Sequence, residues 1–253
     1  MDKLIYNPLA TVREQAVVRQ ALVHEMSNVA TTGFKRSFQS VLKSVKFEDP
    51  GFDTRYQAQA TYRDRIDLKP GAMIATGRAL DVAMLGSTVL GVQGADGVDA
   101  FTRRGDLRLN AAGQLETGSG HLVLGEAGPL SVPAGFDVTI TRDGQVFARD
   151  PAQVGVAVGA PVGQLRLRDA LDVPLSRRED GLYQVDGQPA GADLPAGVGT
   201  PAVESRMLEG SNVSAIDVMT RLIDHARSFE AQIRVIKEVK DLDANGATMM
   251  KQG

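Results

Sequence analysis

Glycine and proline are segregated along this chain, and that limits its fold more than any other feature. Between Gly86 and Thr200 lie 20 of the 27 Gly and 7 of the 11 Pro, whereas Leu9–Thr32 and Ser211–Asn245 contain neither. Glycine breaks helices through backbone entropy, and proline through a fixed φ and a missing N–H. Long helices therefore have room only at the two ends, around a middle that turns often.

Both clear stretches carry apolar residues at helical spacing. In the first, Leu9, Val12, Ala16, Val23, Met26 and Ala30 follow a 3-4 alternation interrupted at Arg19, with Val18, Leu22 and Val29 beside it. About 22 residues at ~1.5 Å each predict a rod of ~33 Å, which Gly33 can stop in a left-handed conformation. In the second, Ala215, Met219, Leu222, Ala226, Phe229, Ile233 and Ile236 alternate steps of four and three, flanked by Ile216, Ile223, Val239 and Leu242. Ser214 and Asp217 resemble a capping box, so a helix is expected over Ser214–Leu242. Heptad spacing makes each stripe a helix-packing seam. Either the stripes face the core of one globular domain, or the end helices pair with each other and with those of other copies. The second stripe is too wide for one partner helix to cover.

The middle reads as β. Leu107–Leu109, His121–Leu124, Phe136–Ile140 and Gly163–Leu167 are short apolar or alternating runs. Turn signals at Asn110–Gly113, Arg142–Gly144, Glu179–Gly181 and Val185–Gly187 separate such runs, and Asp-Gly between β runs marks a hairpin. Residues Val45–Ile66 fit neither period and hold Phe47, Phe52, Tyr56 and Tyr62, with Phe38 just before, so an extended linker packed on a neighbour is expected. The fold class is α+β, mainly β: a central antiparallel sandwich or barrel with N- and C-terminal helices that pair as a coiled-coil-like stalk. The segments are 1–40 for the first helix, 41–80 for the linker, 81–204 for the β domain and 205–253 for the last helix.

Composition removes many chemistries. The chain has no Cys, so disulfides, thiolate metal sites and a Cys nucleophile are excluded. With 28 basic and 31 acidic residues there is no general excess of cations for nucleic acid. No apolar run reaches the ~18 residues of a membrane span, and Met1–Leu9 lacks a signal-peptide pattern. Asp241, Asp243, Asn245 and Gly246 imitate half a calcium loop, but its twelfth position is Gln252 and no second helix follows, so a polar helix end with Gly246 near its cap is expected. Arg104-Gly105-Asp106 fits a plain turn. His24, His121 and His225 have no motif partner, and Pro201 blocks the helix that Gly197-Val-Gly199 would need for a dinucleotide. No cofactor, metal or small-molecule site is expected.

The helices carry more than periodicity. His24-Glu-Met-Ser-Asn-Val-Ala-Thr-Thr-Gly-Phe-Lys-Arg36 resembles the A-N-N-L-A-N-x-x-T-x-G-F-K signature of the flagellar rod and hook proteins, matching at Asn28, Ala30, Thr32, Gly33, Phe34 and Lys35 and departing at His24-Glu25. In family order follow Leu80-Asp-Val-Ala83, Phe101-Thr-Arg-Arg-Gly105 (Y-T-R-x-G), Asn110-Ala-Ala-Gly-Gln-Leu115, Leu208-Glu-Gly-Ser-Asn-Val213 (L-E-x-S-N-V) and Phe229-Glu-Ala-Gln232. After Leu80–Ala83, the usual G-x-G-F-F is Gly86-Ser-Thr-Val-Leu90. Gly125–Pro129, Val132–Gly135 and the short Phe38–Ile66 segment resemble proximal rather than distal rod members.

The resemblance implies a structural subunit of the bacterial flagellar rod, the periplasmic shaft that carries torque from motor to hook, with no catalysis. It implies export without a cleavable signal peptide through the flagellar type III apparatus, and assembly with itself and with proximal and distal rod subunits. It implies helices that line the axis while the β domain lies outside. Residues 1–40 and 205–253 are then expected to order on assembly, because lone amphipathic helices are marginal in water. The expected assembly residues are Leu9, Val12, Val23, Met26, Asn28, Gly33, Phe34, Asn212, Met219, Leu222, Phe229, Ile233 and Ile236. A β-domain enzyme would instead need a convergent polar pocket. A secreted adhesin with coiled-coil ends would bind its ligand through the β domain rather than its own kind through the helices.

Overall fold

The computed structural model describes residues 3–45, 48–49, 52–53, 57–152, 159–194 and 199–251. It is mainly β with one helix near each end, and it divides into two compact units: Met1–Val29 with Val213–Gly253, and Ala30–Asn212. The β unit takes in the last eleven residues of the first expected helix segment and the first eight of the last. Residues 30–40 and 205–212 hold strands and buried ties of the β unit.

The helical unit holds α1 (Lys3–Ser27) and α2 (Ala215–Lys251). Helix α1 begins earlier than the stripe indicated and runs through Pro8, which forfeits one backbone hydrogen bond. Helix α2 starts where the Ser214 hydroxyl accepts from Asp217 N–H at 3.5 Å. It continues past Leu242 and through Gly246, correcting the expected stop there; a lone glycine costs only ~1 kcal/mol in a helix and does not end it. The two helices are antiparallel neighbours. His225 Nε2 lies 2.8 Å from the Gln15 carbonyl, Gln15 Nε2 donates to Ser228 Oγ at 3.2 Å, and Arg221 pairs with Glu25 at 3.2 Å. Glu25 stands where the family signature has Asn, and it is buried. No described helix is long and apolar enough to cross a membrane.

In the β unit every named strand pair is antiparallel. The main sheet runs through strands Leu175–Arg177, Tyr183–Val185, Asp99–Thr102, Thr88–Gln93, Leu122–Gly125, Leu115–Thr117 and Leu107–Leu109 in that spatial order. Strand Thr88–Gln93 is buried on both faces. Leu90 and Val92 join one apolar cluster with Leu107, Leu115 and Val123, while Val89 joins another with Phe101, Leu175 and Tyr183. Strands Asp137–Ile140 and Gln145–Arg149 alternate buried and open positions, placing Val138, Ile140, Val146 and Ala148 in the first cluster. Three of the four expected turns close hairpins; Val185–Gly187 instead leads into a loop.

The expected linker contains a hairpin arm. Phe38–Val45 pairs with Gln57–Asp64 over eight residues in unbroken register, from Phe38↔Asp64 to Val45↔Gln57. Glu48–Asp49 pairs with Phe52–Asp53 beyond it. At ~3.3 Å per residue the eight-residue ladder spans ~26 Å. The aromatic side chains assigned to packing in this segment lie outside the described residues, as does part of the Gly197–Pro201 fragment.

Candidate functional site

Three of the quoted motifs, far apart in sequence, converge inside the β unit. Gly33 adopts φ +69°, and its N–H donates to the Glu209 carbonyl at 2.7 Å. That pairing lays the chain after the first helix segment beside the chain before the last. A Cβ built on Gly33 would stand 2.3 Å from the Arg103 carbonyl oxygen, so only glycine lets the two backbones approach.

Behind this contact sits a charged cluster with no exposed side-chain surface. Lys35 Nζ lies 2.6 Å from Glu209 Oε1 and donates to the Lys69 carbonyl at 2.7 Å. Arg103 donates to Glu209 Oε2 through Nε at 2.9 Å and Nη2 at 2.6 Å. Its remaining N–H groups reach the carbonyls of Gly86 (2.7 Å), Thr88 (2.8 Å) and Met84 (3.0 Å). All five guanidinium donors are thereby used. Glu209 Oε1 also accepts from Gly71 N–H at 3.0 Å. Two cations share one carboxylate, and the four backbone carbonyls offset the remaining charge. Burial pushes the Lys35 pKa below the ordinary lysine value, while its hydrogen bond to Glu209 pulls it back up. A buried ion group like this one specifies geometry more than it adds net stability.

An outer layer holds the cluster. Arg177 donates to the Lys35 carbonyl and stacks over the Phe34 ring at 4.5 Å, and Tyr183 OH donates to the Gly33 carbonyl at 3.2 Å. Asn212 bridges both chain segments: its Oδ1 accepts from Arg36 N–H at 2.7 Å and its Nδ2 donates to the Asp67 carbonyl at 2.8 Å. The arrangement is a clamp. It holds no nucleophile beside a base, and among the described residues no cluster of His, Asp and Glu could hold a metal.

Tyr183→Phe should cost about 1 kcal/mol near neutral pH, the usual worth of one hydrogen bond. Burial holds the phenol up at about 12, against 10.0 ordinarily. Between those values the folded chain keeps a proton that the unfolded chain has released. Stability therefore falls as pH rises through the window, by up to ~1.4 kcal/mol per unit. The Phe variant lacks the group, so urea titrations at pH 9 and 11 should show the gap to the parent narrowing at pH 11. An unchanged gap would contradict a buried, protonated phenol.

Of the expected assembly residues, Gly33, Phe34 and Asn212 meet in the clamp. Asn28 stays with the helical unit, its Nδ2 donating to the His24 carbonyl at 2.9 Å. On α1, Val23 is exposed and Met26 half-buried, and the side chains of Leu9 and Val12 lie outside the described residues. On α2, Met219 and Ile233 are exposed and Leu222, Phe229 and Ile236 half-buried. Sequence reasoning missed the partnership of Lys35, Arg103 and Glu209. The available signal was one charged residue in each of three motifs, with signs that complement.

Comparisons with known proteins agree with this layout. Residues 204–249 match the family described as flagellar basal body rod FlgEFG protein C-terminal. Residues 83–148 match the flagellar hook protein FlgE/F/G D1 domain. The chain is similar to the flagellar basal-body rod protein FlgF of Escherichia coli (strain K12), with 36% identity over 243 residues and 95% of each chain covered. It is 35% identical to FlgF of Salmonella typhimurium over 246 residues, again with 95% of each covered. The flagellar basal-body rod protein FlgG of Agrobacterium fabrum is 28% identical over 249 residues, covering 88% of this chain and 90% of its own.

Proposed function

Because the chain belongs to the flagellar basal-body rod protein family, we propose that its two helices form an axial layer of the rod by packing coiled-coil-like against those of other copies and of neighbouring rod subunits. The protein is a structural subunit of the basal-body rod that assembles with other axial proteins, and it is not an enzyme. The observation that carries the axial role is an apolar face left over after α1 and α2 have paired. Ile216, Met219, Ile223 and Ile233 remain exposed on one side of α2, Ile216 by 78%. A long helix with so much open apolar surface is built for further helix neighbours. Two unlike seams also suit a filament, which needs head-to-tail contacts that do not close. In this reading the β unit faces outward in the periplasm, and the chain arrives unfolded through the flagellar export apparatus. Lacking Cys, it crosses into an oxidising space with no thiol to cross-link.

Phe229 lies half-buried on the stripe of α2 that holds His225, one turn away, which bonds to Gln15 of α1, and it belongs to the heptad seam expected to pack against other helices. Phe229→Asp should abolish incorporation into basal bodies and swimming, because the interface would bury a charge with no partner. The thermal transition of the β unit should stay within a degree or two of the parent. Normal swimming by this variant would remove Phe229 from the interface.

A further inference from the structure

One residue of the β unit holds a backbone conformation that its side chain does not favour. Arg206 has φ +62°, the one positive φ outside glycine among the described residues. The chain changes partner strand there: Val203–Ser205 pairs with Val82–Met84, and Met207–Glu209 pairs with Met73–Ala75. Arg206 N–H donates to the Asp81 carbonyl at 2.7 Å, and its carbonyl accepts from Thr76 N–H at 3.0 Å and Gly77 N–H at 3.1 Å. Those bonds use backbone alone, so glycine would serve the crossing with less strain. Strain kept at such a point marks a side chain with a task.

The Arg206 side chain is exposed and lines a cavity of about 430 Å³ over the outer face of strands Asp137–Ile140 and Gln145–Arg149. Phe147, half-buried and paired in register with Thr139, supplies the apolar wall. Asp137 pairs with Arg149 at 2.9 Å, so among the described residues Arg206 is the cation of this cavity left without a carboxylate. The complementary feature stands elsewhere on the same unit. Leu171 is 66% exposed, more than any other large apolar side chain described in the β unit, and the exposed Asp172 beside it has no cation partner among the described residues. Leu171 follows Ala170, which packs with Val89, whereas the strands under the cavity pack with Leu90 and Val92. Knob and cavity therefore lie on opposite sides of strand Thr88–Gln93, and one copy cannot fill its own cavity. We infer that Leu171 and Asp172 of one copy dock in the cavity of the next, the leucine against Phe147 and the carboxylate on Arg206. Donor and acceptor on opposite sides of one unit produce a contact that repeats without closing. The charge pair sets the register, and the buried leucine supplies affinity. This deepens the rod proposal by naming a contact between copies, and it rests on that proposal for the presence of neighbouring copies.

Leu171→p-benzoylphenylalanine keeps an apolar knob and makes it photoreactive. In basal bodies isolated from cells expressing this full-length variant, illumination should give a band at twice the chain mass, with the probe joined to the 143–149 peptide that holds Phe147. Adding Arg206→Gly relaxes the backbone but removes the cation. The dimer yield should then fall roughly threefold, while the thermal transition of the purified chain stays within about two degrees of the parent. Adding Arg206→Asp instead should lower the yield roughly fivefold, and Asp172→Arg added to that chain should restore it. An unchanged yield with Arg206→Gly, the result for a residue that only shapes the crossing, overturns the contact. Incorporation of the probe-bearing chain with no dimer band does so too, and both results leave the rod assignment intact. A cross-linked band at the mass of a different axial protein overturns the second-copy assignment. Absence of the chain from basal bodies counts against the rod proposal itself, and illumination of the concentrated purified chain then decides the contact.

Discussion

Glu209→Ala is expected to cost the β unit about 3–5 kcal/mol, the usual penalty for orphaning a buried charge. Few domains have more than about 5–15 kcal/mol in total, so this one change should bring the unit close to its unfolding threshold. Among the described residues, Glu209 is the carboxylate that bonds both Lys35 Nζ and Arg103 in the clamp. Without it two cations remain in a site that water does not reach. Arg103 would keep its three carbonyl partners, whereas Lys35 would keep only the Lys69 carbonyl. The loss should therefore be partly recovered by Lys35→Met, which removes one stranded charge at similar volume. Urea unfolding followed by far-ultraviolet circular dichroism gives all four corners of the double-mutant cycle. A coupling near zero, or a cost for Glu209→Ala below about 1 kcal/mol, would mean that the three side chains do not act as a buried unit.

Gly33→Ala should be nearly as damaging. A left-handed conformation costs a residue with a side chain roughly 1–2 kcal/mol, and forcing a methyl into packed surroundings adds roughly 1–3. The added carbon would meet backbone on every near side: the Arg103 carbonyl at 2.3 and 2.5 Å and Arg104 N at 2.6 Å. Backbone pinned by the five bonds of the buried Arg103 side chain cannot turn aside as a side chain can. Gly181 supplies the control, because its φ is +84° but nothing lies within 4 Å of its hypothetical Cβ. Gly181→Ala should pay the conformational cost alone, about 1–2 kcal/mol. Equal losses at the two sites would show that the close approach at Gly33 is not rigid. A larger loss at Gly33, accompanied by failure to swim, is the expected pattern.

Much of this fold was legible in the sequence. The glycine-free stretches marked both helices, and the turn signals after Leu109, Ile140 and Arg177 marked three hairpins. What escaped has physical causes. Helix α2 runs past Gly246 because a break needs more than one unfavourable residue. The arm Phe38–Asp64 showed no alternation because a two-stranded ladder has no sheet face that must be buried. The clamp was the hardest part to see. Its residues stood inside recognised motifs, but nothing in a local pattern says that Lys35 meets Glu209, 174 positions away. Gly33 looked like a helix stop, which its positive φ allows, whereas its place is set by Arg103. The pairing of Glu25 with Arg221 was hidden in the same way, by a residue that departs from the family signature.

The Gly33–Glu209 pairing also makes the β unit an insert with a fixed neck. Everything between those residues is one loop whose ends are held a single hydrogen bond apart, 2.7 Å from N to O. Doubling the length of a closed loop adds only about 0.6 kcal/mol of closure entropy. Such a neck lets the β unit gain or lose strands while the chain ends leading to α1 and α2 keep the same spacing. The same neck could close a different β unit altogether, so the insert becomes an exchangeable part between two unchanged helices.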